Sequence, residues 1–96
     1  MTAYLLIDID VHDPKSFTKY QTNVPALVAR HGGDLIVRDG VFEVIEGAWR
    51  PTSLVIIRFP DRQAIRNLFD DPEYAALKAL RQSAASSSFV AVDGVD

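Results

Sequence analysis

From Ala3 to Val11 the chain alternates. Leu5, Ile7, Ile9 and Val11 fall on one side of an extended segment, and Tyr4, Leu6, Asp8 and Asp10 fall on the other. This predicts a strand with one fully apolar face and one mixed face. The period then changes. Phe17, Tyr20, Val24, Leu27 and Val28 recur at helical spacing behind Asp13-Pro14, a capping residue followed by a proline that loses no hydrogen bond at the first helical position. Pro25 lies inside this pattern and predicts a kink. Gly32-Gly33 ends the helix after His31, because glycine takes the left-handed conformation without a Cβ penalty.

Extended character returns at Leu35, Ile36 and Val37, and Asp39-Gly40 is a strong turn dipeptide. Val41 to Ile45 reads as a second strand segment, Gly47 to Pro51 as a turn around Trp49, and Leu54 to Phe59 as a further strand. Asp61 then caps a short helix with Ala64, Ile65, Leu68 and Phe69 on one side. Asp71-Pro72-Glu73 launches another through about Arg81, with Tyr74, Leu77 and Leu80 inward. Ser83 to Ser88 reads as a polar loop, Phe89 to Val92 as the last strand, and Asp93 to Asp96 as a tail.

The order strand, helix, strand, strand, helix, strand is two split βαβ halves, the ferredoxin-like α+β pattern, with an antiparallel sheet covered by helices on one face. The other face carries Tyr4, Leu6, Ile36, Leu54 and Ile56 and is too apolar to leave wet. Pairing with a second copy of the chain would cover it, which predicts a homodimer.

Composition narrows the function classes. Ninety-six residues, 48% of them hydrophobic, make a single domain over 1–96. The net charge is −3 and the basic residues are scattered, which argues against nucleic acid and anionic membranes as partners. There is no cysteine, so disulfides, thiolate metal sites and cysteine nucleophiles are excluded. Asp8 and Asp10 interrupt the first apolar run, which lacks a basic leader, so a cytoplasmic location is expected. His12 and His31 stand far apart with no metal-ligand spacing, and neither a metal nor another cofactor is expected.

Taken together, Asp13-Pro14, Tyr20, Pro25, Gly32-Gly33, Arg38, Gly40, Glu46-Gly47-Ala48-Trp49, Pro51, Phe59-Pro60, Asp71-Pro72-Glu73-Tyr74 and Arg81 resemble the domain-of-unknown-function family 1330, of the dimeric α+β barrel superfamily. The resemblance covers nearly the whole chain. It implies a ferredoxin-like protomer whose sheet pairs with a second copy to close a barrel. Relatives across the superfamily range from cofactor-independent oxygenases and isomerases to proteins without clear catalysis, so the reaction stays open.

Several side chains are candidates for chemistry. Parity places Arg38 with Ile36, Asp8 and Asp10 with Tyr4, and Arg58 with Leu54 and Ile56. If these faces coincide, they and Glu46 form either a pocket in which arginine holds a carboxylate or enolate, or ion pairs that fix strand register. His31 or Asp8 would move a proton in an enzyme, although His31 in a last helical turn equally suits the helix dipole. Trp49, Tyr20 and Tyr74 would converge near one helix–sheet cleft as ligand-binding residues, or serve as amphipathic packing residues. Two readings follow. One is a cofactor-independent oxygenase or isomerase acting on a small enolisable or aromatic compound. The other is a non-catalytic ligand-binding, stress-associated or structural homodimer.

Overall fold

A computed structural model describes all residues, 1–96. The elements run β1 (Ala3–Val11), α1 (Pro14–Arg30), β2 (Asp34–Arg38), β3 (Leu54–Phe59), α2 (Arg62–Asp70), α3 (Pro72–Ala84) and β4 (Ala85–Asp93). The strands form one antiparallel sheet in the order β2-β3-β1-β4. This is the ferredoxin-like arrangement that the alternation predicts, with the helices on one face.

The caps lie where the sequence places them. The Asp13 carboxylate accepts the amide of Ser16, Asp61 accepts that of Ala64, and Asp71 accepts that of Glu73. Asp71 both ends α2 and starts α3. Pro25 sits inside α1 without ending it, and its missing N–H leaves the Gln21 carbonyl without a helical partner. At the end of α1, Gly32 adopts φ +80°, and a Cβ on Gly33 would lie 2.5 Å from Val28 and 2.9 Å from Phe59. The helix can therefore stop and the chain turn directly beneath β3 only with glycines here.

Alternation along β1 divides the sheet. Ala3, Leu5, Ile7 and Ile9 are buried against Phe17, Leu27, Ile65, Leu68 and Tyr74 from the helices. Tyr4, Leu6 and Asp8 point to the opposite, uncovered face, with Leu54, Ile56, Val90 and Val92 in register beside them. Val90 and Val92 are exposed.

Three expectations about local structure are corrected. Val41–Ile45 is not a strand: residues 40–53 form one irregular connection, and Val41 and Ile45 project outward, 107% and 83% exposed. The segment makes no ladder with the free outer edge of β2, the edge strand of the sheet. Ser83–Ser88 is not a loop, since α3 continues to Ala84 and β4 begins at Ala85. The serines pair directly with the end of β1, Ser86 opposite Asp10 and Ser88 opposite Asp8, so tertiary pairing overrides their weak strand preference. Finally, Arg38 is not on the face of Ile36. A β-bulge between Leu35 and Val37 inserts one extra residue, which places Val37 opposite Ile56 and Arg38 opposite Val55 on the helix side.

Candidate functional site

Between α1 and the inner face of the sheet lies a cavity of about 750 Å³. Its floor is Leu5, Ile7, Ile9 and Ile57 from the sheet, and its far wall is Leu68, Phe69 and Tyr74. Its rim is polar: Asp10, Gln21, Arg38, Asp39, Thr52 and Ser53. Four of these, Arg38, Asp39, Thr52 and Ser53, are the two stems of the 40–53 connection, so that segment springs from the mouth of the cavity. The stems are tied together by the Ser53 hydroxyl, which donates to the Asp39 carboxylate. Asp39 itself takes a positive φ of 47°, an aspartate-tolerant conformation that turns the chain away from the sheet.

Five aromatic rings run along the wall in sequence of contact. Phe17 lies 5.2 Å from Tyr20, Tyr20 lies 6.4 Å from Tyr74, Phe69 is 5.1 Å from Tyr74 and 5.7 Å from Phe89, and the last three pairs meet edge to face. Helical spacing brings Phe17 and Tyr20 to the cavity from α1. The Asp71-Pro72 start of α3 sets Tyr74 one turn in. The Tyr20 and Tyr74 hydroxyls are hydrogen-bonded at 3.1 Å. Burial pushes the Tyr20 hydroxyl pKa far above the usual phenol value. Tyr74 adds to the rise, and the positive charge of Arg81 opposes it. Tyr20 is accordingly a neutral hydrogen-bonding group at any physiological pH.

The sequence candidates separate into two sets. Tyr20, Tyr74 and Arg38 line the same cavity. Asp8, His31 and Trp49 do not. Asp8 stands on the opposite sheet face, where its carboxylate accepts the amides of Thr52 at 2.9 Å and Ser53 at 3.4 Å and the Trp49 indole N–H at 3.3 Å. These bonds, the Thr52 amide foremost, hold its pKa below the ordinary carboxylate value and anchor the returning end of the 40–53 connection. Trp49, thus tethered, remains 62% exposed. His31 Nε2 meets Asp71 at 2.8 Å, while Arg30 reaches Asp71 at 3.8 Å and Glu73 at 3.1 Å. The His31 bond is the main cause of a lowered Asp71 pKa, and the group ties the end of α1 to the α2–α3 junction. The charged constellation of Asp8, Asp10, Arg38, Arg58 and Glu46 is not assembled: Arg58 pairs instead with Asp34 at 2.6 Å across β2 and β3. No cluster of three or more histidine or carboxylate side chains is close enough to hold a metal ion, and no helix is long and apolar enough to cross a membrane.

One residue behind the wall escaped the sequence reading. Arg81, in the last turn of α3, is 5% exposed and makes no ion pair. Its guanidinium donates to the Ser87 hydroxyl at 2.7 Å and stacks 4.3 Å over the Phe89 ring, and its Nε has no hydrogen-bond partner. Its place as an arginine immediately after the inward Leu77–Leu80 pattern gave only a weak signal, since a basic last turn ordinarily serves the helix dipole.

Comparison with known proteins bears on the fold and the family. The chain superposes on a protein of unknown function from Rhodopseudomonas palustris, RPA0582, with a TM-score of 0.81 at 15% identity, covering 99% of this chain and 83% of that one. It superposes on SnoaB, a cofactor-independent oxygenase from Streptomyces nogalater, with a TM-score of 0.68 at 18% identity, covering 99% and 94%. A NIPSNAP domain protein from Burkholderia xenovorans, uncharacterised, gives 0.60 at 14% identity, covering 99% and 95%. At these identities the likeness is one of fold. No curated protein matches the sequence. The family described as "Domain of unknown function (DUF1330)" matches residues 2–95, so this ferredoxin-like chain with its helix-side cavity belongs to that family.

Proposed function

We propose that this chain handles a small aromatic or enolisable compound in the cavity between α1 and the sheet, and that it does so as a homodimer. The observation that carries the reading is the cavity itself, about 750 Å³, walled by five aromatic rings and lined at its open mouth by polar groups. Flat rings fit such a wall by edge-to-face contact. The Tyr20–Tyr74 hydroxyl pair supplies the orienting polar contact, and Arg38 at the rim engages an anionic substituent. The chemistry favoured is that of a cofactor-independent oxygenase or isomerase, the first of these being what SnoaB, a fold neighbour, is named for. The dimer is supported by Leu6, Leu54, Ile56, Val90 and Val92, a contiguous apolar strip on the uncovered sheet face.

A second reading, ligand binding without turnover, is favoured by one observation. Asp8 and His31, the two candidate proton carriers, are engaged elsewhere and do not line the cavity. Native mass spectrometry of the purified protein tests both subunit count and occupancy. Twice the chain mass with a retained small molecule is the expected result, and a bare monomer would overturn the dimer. Incubating the released molecule with fresh protein in air then separates the readings: a changed product mass means turnover, an unchanged one means binding alone.

A further inference from the structure

The buried cluster of Tyr20, Tyr74 and Arg81 is rich in donors and poor in acceptors. Each phenol has one proton. One of the two is used in the Tyr20–Tyr74 bond, and the other has no acceptor in the protein, whichever tyrosine carries it. The Arg81 Nε–H also has no acceptor. The Ser87 hydroxyl, which accepts from Arg81, hydrogen-bonds to nothing else. No carboxylate lies within ion-pairing distance of Arg81, although burying a lone guanidinium is costly.

The location of this surplus is informative. Tyr20, Tyr74 and Phe89 are cavity wall, and Arg81 lies directly behind them, against the Phe89 ring and acting by its charge on the Tyr20 hydroxyl. A cation beside a pair of phenols, one of whose protons has no acceptor in the protein, is what an anionic oxygen would need. In a low-dielectric site the charge is felt across that distance, and the free O–H supplies the direct bond.

We propose that the Tyr20–Tyr74–Arg81 cluster is an oxyanion site, so that the cavity takes its ligand as a phenolate or enolate rather than as the neutral compound. Tyr20 and Tyr74 meet the ligand oxygen. Arg81 acts through them as a positioning and charge-compensating residue. This rests on the cavity being the ligand site, and it adds the charge state of the ligand.

The test uses two probes of nearly the same shape. Para-nitrophenol ionises near neutrality and its phenolate absorbs in the visible, whereas para-nitroanisole cannot ionise. Both are titrated into the whole protein at a pH just below the phenol's own midpoint, with bound fraction and phenolate absorption followed together. The expected result is a phenolate band that grows with added protein, and a dissociation constant about tenfold lower for the phenol than for the anisole. Arg81→Met should abolish the protein-dependent growth of the band and bring the two dissociation constants together. Arg81→Lys should restore part of the band, and Tyr74→Phe should weaken it. Equal binding of the two probes without a band would overturn the oxyanion site and leave the cavity reading intact. Binding of neither probe would overturn both. If Arg81→Met fails to fold, Arg81→Lys and Tyr74→Phe still decide, because a band unchanged in both would exclude the cluster.

Discussion

The two faces of the sheet are built from alternate residues of the same strands, yet they do different work. On the helix side, Leu5, Ile7 and Ile9 are all under 9% exposed, and the space they leave against α1 is the cavity. On the other side, Leu6, Ile56 and Val90 are equally apolar but no helix covers them, and they are half-buried or, at Val90, exposed. The covered face achieves a folded chain with a cavity beside its core. The open face contributes nothing to either until a second surface meets it. The lesson is that apolar content alone does not identify a core. What identifies it is whether another element of the chain reaches that side.

Neighbouring residues make the sharpest break of this comparison. Ile7→Asp places an unpaired charge in the core and should abolish folding, seen as loss of the far-ultraviolet circular dichroism. Leu6→Asp, one position away, should keep that spectrum and yield a monomer by light scattering. If Leu6→Asp also unfolds the chain, the open face is part of the folding core and the contrast fails. Next in size, Gly33→Ala drives a Cβ into Val28 and Phe59. It should cost about 1–3 kcal/mol in denaturant unfolding, with the larger end expected because Phe59 has no room to retreat.

A smaller effect comes from Asp71. Its folded pKa is lowered by His31, the Glu73 amide and Arg30, so the stabilisation it provides is present above the unfolded value of about 4. That contribution is lost as the pH falls through the folded value. Asp71→Asn should therefore lower Tm at neutral pH and flatten the acid limb of the Tm–pH curve. A variant with the wild-type acid slope would show that this carboxylate is not coupled to folding. The smallest effect belongs to Arg38→Ala at the cavity rim. Stability should change by less than about 0.5 kcal/mol, while affinity for an anionic ring compound falls relative to its neutral analogue.

The same contrast explains what could be read from the chain. Strand and helix faces were legible because periodicity is a local property: Leu5, Ile7 and Ile9, or Phe17 and Tyr20, announce their side by spacing alone. The caps at Asp13, Asp61 and Asp71 were legible for the same reason. Val41–Ile45 was not, since a β-competent segment becomes a strand only if it is laid against a neighbour, and this one leaves the open edge of β2 unpaired. Ser86–Ser88 failed in the opposite sense, because β1 offered a partner that their composition did not advertise. In the site, Tyr20 and Tyr74 were visible as inward aromatic residues. Arg81 was hidden, because a buried arginine without a counter-ion has no sequence pattern. Arg38 was noticed but set on the wrong face, since parity counts residues and a bulge adds one.

That extra residue in β2 has an evolutionary consequence. With the bulge, the cavity rim receives an arginine and the open face receives Val37. Without the bulge, at the same chain length, Val37 would fall opposite Val55 and Arg38 opposite Leu54, withdrawing the positive charge from the rim and placing it on the apolar strip. In this fold the polarity of the cavity rim and the stickiness of the outer surface are therefore inherited together, and a one-step change of register in β2 can rewrite both without altering any side chain in either place.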